Sequence, residues 1–170
     1  MTARRVRQIL LGIATVLWIA FIFANSAKSG IESGADSNSV TDWLNQTVGE
    51  ILPFFHVSGF FIRKMAHFLE FALLSLLFSL DLSLLFSLRA AESVKRLSLA
   101  LLAIPASAVI AMTDEIIQRF SPGRGPSVKD VLLDTAGAAF AALIFFGTLC
   151  LLLWKRRNKA KATCKMQHAK

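Results

Sequence analysis

Residues 60–80 read FFIRKMAHFLEFALLSLLFSL, an apolar run that, as a helix, crosses the roughly 30 Å hydrocarbon core of a bilayer. Within it stand Lys64, His67 and Glu70. An ionisable group at such depth is costly and marks a functional-site candidate. The three recur at intervals of three, so at about 100° per residue they occupy about a third of the helix circumference and share one face.

Three further runs of the same character flank this one, at residues 6–24, 97–117 and 131–154. No strand-like alternation competes with them. With 55% hydrophobic and only 18% charged residues in a chain of 170, and a mean hydropathy of +0.57, the composition is too apolar for a soluble domain of this length. The fold class that follows is all-α: one integral membrane bundle of four transmembrane helices. The first run resembles a signal peptide, with Arg4, Arg5 and Arg7 ahead of it, but its unbroken length from Ile9 to Ala24 favours a retained helix.

Charge sets the orientation. Seven of the nineteen basic residues lie in the tail KRRNKAKATCKMQHAK, residues 155–170, directly after the last apolar run. The net charge of +8 is therefore a juxtamembrane property explained by lipid headgroups, and a nucleic-acid partner is excluded. Arg4, Arg5 and Arg7, then Arg89, Lys95 and Arg96, then the tail all fall on alternate flanks, which the positive-inside rule assigns to the cytoplasm. Both termini are inside. Residues 25–59 are then an extracytoplasmic linker: SAKSGIESGADSNS is polar and Gly/Ser-rich, and VTDWLNQTVGEIL can form a short interfacial helix carrying Trp43. The organisation is residues 1–24 as basic flank and first helix, 25–59 as linker, 60–154 as core with three helices, and 155–170 as cytoplasmic tail.

The remaining outer loop, residues 119–129, breaks the charge rule with Arg119, Arg124 and Lys129, and a site explains that exception better than topology does. The third helix ends there with Asp114, Glu115 and Gln118 on a common face. The fourth begins there with Asp130 and Asp134 one turn apart, and Gly137 and Ala141 continue that stripe. Small residues let helices approach closely. Between them SPGRGPS, stiffened by two Pro, can hold the forked donors of Arg124 over the helix ends, where they suit phosphate or carboxylate. Pro105, in the middle of the third run, predicts a kink and a Leu101 carbonyl short of a partner.

Each of these residues also has a purely structural reading. Lys64 and Glu115 suit interfacial anchors, His67 with Glu70 a packing pair, and Asp114 with Arg124 a loop-closing bridge. Asp81 and Glu92 are read as structural outright. A metal centre ranks below anion binding: one imidazole and several carboxylates are present, but their spacing matches no compact ligand motif, and Lys64 and Arg124 oppose a cation. Cys150 and Cys164 have neither metal nor disulfide spacing.

Taken together, RKMAHFLEFALL and DEIIQRFSPGRGPSVKDVLLDTAG resemble the VanZ-like family of small bacterial membrane proteins. The shared elements are K-x-x-H-x-x-E-F, D-E-x-x-Q-x-F-x-P-G-R and the D-V that follows, in that order over residues 62–141, with a weaker echo where FIFANSAKS ends the first run. Asp134 stands where the family usually has Asn, and Ala141 where a second Gly is common. The resemblance implies a multi-pass protein of the bacterial cytoplasmic membrane, in a family named for a link to low-level resistance to teicoplanin, a glycopeptide acting on cell-wall precursors.

The leading expectation is an outward-facing polar site that binds or processes an anionic envelope molecule, a lipid-linked phosphate or a carboxylate-bearing wall precursor. Lys64 and Arg124 would hold the anion, His67 would act as general acid or base, and Glu70 would orient it. Asp114, Glu115, Asp130, Gln118 and Asp134 would position these groups. The alternative is a non-catalytic scaffold whose intramembrane ion pairs are structural; a transporter ranks last, since four spans show no repeat. Neither cofactor nor oligomeric state is legible.

Overall fold

Runs of Leu, Ala, Ile and Phe in lipid have little but helix open to them, because every backbone N–H and C=O must find its partner within the segment. The computed structural model, which describes residues 3–52, 54, 56–86 and 101–168, is all-helical in keeping with this, with no strand among the described residues. Its helices are α1 (Ala3–Ala27), α2 (Gly30–Gly49), α3 (Gly59–Phe86), α4 (Ala103–Arg119) and α5 (Val128–His168).

Three segments are long and apolar enough to cross a membrane: Ala3–Ala27, Gly59–Leu85 and Val128–Lys155. The sequence predicted four. In the described part of the third predicted run, α4 has only 17 residues, about 25 Å of helix, and its last two turns carry Asp114, Glu115 and Arg119. The start of that run and the flank with Arg89, Glu92, Lys95 and Arg96 fall outside the described residues.

Two local expectations are corrected. Most of the stretch read as a flexible linker is helical: α2 starts at Gly30, and Ser29 and Glu32 close its first turn as a reciprocal capping box. Pro105 does not sit in mid-helix. It lies in the first turn of α4, where a missing N–H leaves no bond unmade, and the Leu101 carbonyl accepts the Ile104 N–H at 3.1 Å.

The packing is inverted relative to a water-soluble protein. Between the helices lie small or polar residues, among them Ala111, Ala138, Ala142, Ser75, Ser79 and Ser107, with Ile22, Phe71 and Leu74 as the larger core groups. Leu17, Leu69, Val109, Phe140 and Leu143 point outward. That pattern fits lipid, where association comes from close backbone packing. Gly137 shows how close: a Cβ there would collide with the Phe68 backbone of α3.

α3 is the hub, packed against each of the other four helices. Near the start of α1, Gln8 and Arg4 donate to the Leu84 carbonyl near the end of α3, and Thr15 donates to Asp81 at 2.7 Å; further along α1, Trp18 Nε1 reaches the Glu70 carbonyl at 3.0 Å. The two helices are therefore antiparallel. At the other end Lys64 of α3 meets Asp130 of α5, so the end of α1, the starts of α3 and α5 and the end of α4 share one pole of the bundle.

Candidate functional site

This pole is organised by polar atoms that lipid would leave unsatisfied. Helix α1 ends with the carbonyls of Asn25 and Ser26, acceptors left over by the helix ladder, which take the Lys28 N–H at 3.3 Å and the Ser121 hydroxyl at 2.8 Å respectively and have a second lone pair free. Arg124 adds charged donors: Nη1 reaches the Asn25 carbonyl at 3.3 Å and the Ser26 carbonyl at 3.2 Å, and Nη2 the Ser33 hydroxyl at 3.1 Å. A cation also suits the negative end of the helix dipole. The loop is set for this by Gly123, whose φ of 74° is in the left-handed region, and by the Pro122 carbonyl, which accepts the Gly30 N–H at 2.8 Å. Burial, and after it the neighbouring Arg63, pull the Arg124 guanidinium below its ordinary value.

The three residues of α3 do not act on one partner. Lys64 is bound to Asp130 in the first turn of α5 and lies 5.3 Å from the Phe60 ring. His67 turns Nδ1 towards Asp134, 3.8 Å away. Glu70, further round the helix, accepts from Asn25 Nδ2 of α1 at 3.2 Å.

Asp114 of α4 is fully buried, with Oδ1 accepting from the Ser26 hydroxyl and Oδ2 from Gln118 Nε2 at 2.8 Å. Glu115 points elsewhere: its Oε2 accepts the Ser127 N–H at 2.6 Å, just ahead of α5, while Oε1 is buried without a partner. Asp134 is fully buried, and neither of its oxygens has a hydrogen-bond partner among the described residues.

A cavity of about 120 Å³ opens beside these groups, lined by residues that include Lys28, Arg63, His67, Glu70 and Arg124. Lys28 is paired with Asp36, another lining residue, at 2.9 Å. Arg63 and Arg124 then face Glu70, leaving an excess of positive charge, and Arg63 Nε is buried with no hydrogen-bond partner among the described residues.

Of the nine residues singled out in the sequence, His67, Glu70 and Arg124 line this cavity. Asp114, Gln118 and Asp134 lie behind it, and Lys64, Asp130 and Glu115 brace the starts of α3 and α5. Sequence reasoning passed over Arg63, Asn25, Ser26 and Ser33. Arg63 was masked by its position next to Lys64. Asn25 and Ser26 carried a signal, as the polar pair that ends the first apolar run.

Of the comparisons with known proteins, one is positive. The VanZ/LLP1 family model matches residues 11–162, extending the likeness from the motif region to α1 and to the far part of α5. No curated protein and no solved structure matches the chain.

Proposed function

The chain belongs to the VanZ/LLP1 family, and from that premise we propose that it binds an anionic cell-envelope molecule at the polar pole of its bundle, on the outer side of a bacterial cytoplasmic membrane. The observation that carries this reading is the cavity, in which Arg63 and Arg124 outnumber Glu70 and a buried Arg63 donor has no hydrogen-bond partner among the described residues. Buried guanidinium donors recruit phosphate or carboxylate oxygens, which accept bidentately. The volume is small beside the few hundred Å³ of a drug-sized pocket. It suits a phosphate or carboxylate group, with the rest of the ligand lying in lipid or in water.

The pair that holds the anion is accordingly Arg63 and Arg124, while Lys64 serves the α3–α5 contact. His67, at the cavity wall, is placed to exchange a proton with a bound oxyanion, and Asn25 fixes the orientation of Glu70. The teicoplanin link of the family fits a ligand among lipid-linked wall precursors. In this reading both termini are cytoplasmic.

Native mass spectrometry of the protein released from its own membranes tests the binding. Wild type should carry an adduct with the mass of a phosphate- or carboxylate-bearing lipid, and Arg63→Ala and Arg124→Ala should lose it while remaining folded. Equal adducts in all three would exclude the cavity.

The second reading, a scaffold with structural ion pairs, is favoured by one observation: Asp114 and Asp130 are both engaged, with Ser26 and Gln118 and with Lys64 respectively. It requires Asp130→Asn to lower the melting temperature without selective loss of an adduct.

A further inference from the structure

Behind the cavity, three helices bring His67, Asp114 and Asp134 together. One ring nitrogen and one oxygen from each carboxylate lie within 4.8 Å of one another. Asp114 and Asp134 are fully buried and His67 nearly so. Two carboxylates facing each other in a low dielectric, with no cation between them, are costly. Among the described residues, neither Asp134 oxygen nor His67 Nδ1 has a hydrogen-bond partner, although they face each other at 3.8 Å within the group.

We propose that His67, Asp114 and Asp134 bind a divalent transition-metal cation of the zinc or manganese kind.

The size fits. Three atoms that all lie within 4.8 Å of one another share a point at most about 2.8 Å from each, so side-chain movements of under about 1 Å bring them to the roughly 2.0–2.2 Å of zinc–nitrogen and zinc–oxygen bonds. Three protein ligands leave a coordination position for water or substrate, the pattern of catalytic rather than structural zinc. The donor set of one imidazole and two carboxylates suits Zn²⁺ or Mn²⁺, whereas Ca²⁺ and Mg²⁺ favour oxygen alone. The surroundings orient the ligands as outer groups do in metal sites: Ser26 and Gln118 each hold one oxygen of Asp114.

Two objections raised by the sequence lose their force here. The ligands come from three helices, so no compact spacing can announce them. Of the two cations set against a metal, Lys64 is neutralised by Asp130, and Arg124 turns three of its donor contacts to the Asn25 and Ser26 carbonyls and the Ser33 hydroxyl, its charge balanced on the cavity side by the anion proposed there. His67 also lines the cavity, which would set the cation beside the anion site. The metal site nonetheless stands apart from the anion reading, because the metal alone tests it.

The full-length protein in detergent is stripped with chelator and titrated with Zn²⁺ and with Mn²⁺, reading bound metal by elemental mass spectrometry and melting temperature in parallel. Wild type should take up about one equivalent and melt higher with metal. His67→Ala should lose tight uptake and the melting shift, and Gln118→Ala should weaken uptake about tenfold to a hundredfold through the orientation of Asp114. Asp134→Asn, nearly isosteric and therefore the variant that keeps the fold, should bind more weakly than wild type. Absence of uptake by wild type overturns the proposal. So does equal uptake by wild type, His67→Ala and Asp134→Asn, since the metal would then sit elsewhere, for example on the tail with Cys164 and His168.

Discussion

Arg124 and Gly137 are the residues on which the polar pole turns, and each makes a measurable demand. Arg124 gives the two terminal carbonyls of α1 a charged donor beside the Lys28 N–H and the Ser121 hydroxyl that they already accept, so Arg124→Ala removes two charge-assisted bonds in a half-buried place. The expected loss is about 1–3 kcal/mol, seen as a lower melting temperature in detergent, and Arg124→Lys should recover only part because a point charge cannot fork. Gly137→Ala drives a methyl into the Phe68 backbone, which cannot yield as a side-chain tip can. It should cost about 1–3 kcal/mol by overpacking, measured in the same melt, whereas Gly147→Ala, with open space at its Cβ, should cost nothing. The sequence disclosed that Arg124 would be held over helix ends, because Pro and Gly around a single Arg are a local signal. It could not disclose the partners. The Ser26 carbonyl lies 98 residues away, and pairing at that separation leaves no trace in spacing.

Among the elements, α2 departs furthest from its sequence reading, and the reason is physical. Its interior is rich in Gly, Ser, Asp and Asn, all poor helix formers, so composition argues for a linker. Two things outweigh it. Ser29 and Glu32 form the capping box, a signature present in the sequence as S-x-x-E. At the other end Asn45 brackets Val57 through both of its backbone groups, at 2.9 and 3.0 Å, and ties α2 to the approach to α3. Ser29→Ala should therefore weaken α2 by about 1 kcal/mol, read as faster amide exchange over residues 30–36 than over α3. Glu32 adds a pH dependence. Its bonds to the Ser29 backbone and hydroxyl hold its carboxyl below the ordinary value, so the stability it contributes is present at neutral pH and is lost as pH falls through that lowered value. Glu32→Gln should accordingly melt below wild type at neutral pH, with the difference vanishing in acid. The apolar helices were legible because length and hydropathy suffice for them. α4 was only half legible, because the Asp, Glu and Gln that build the site also deprive it of an uninterrupted apolar face.

At the scale of the molecule, the bundle has two unlike poles, and their contents bear on which way it faces. Asp114, Asp134, Glu115 and Gln118 are buried at one pole. Arg4 and Gln8 lie at the other, against the Leu84 carbonyl. α5 starts at the polar pole and runs as one helix of 41 residues, about 60 Å, roughly twice the thickness of a hydrocarbon core. Its far end, with the basic tail, therefore emerges at the same pole as Arg4, Arg5 and Arg7. Antiparallel packing has thus gathered the two basic flanks on one side, and the proposed orientation, with the polar pole outward, is the one in which the positive-inside rule puts that side in the cytoplasm. Ser39 lies exposed on α2, the helix that covers this pole, and Cys164 stands in the tail, so one pair of labelling experiments decides the matter. With Cys150→Ser and Cys164→Ser as background, Ser39→Cys should react with a membrane-impermeant maleimide in intact spheroplasts. In Cys150→Ser alone, Cys164 should react only after permeabilisation. The reverse pattern would turn the cavity to the cytoplasm, where the lipid-linked wall precursors displayed on the outer face could not reach Arg63 and Arg124, and the envelope reading would fall while the metal site behind His67 would stand.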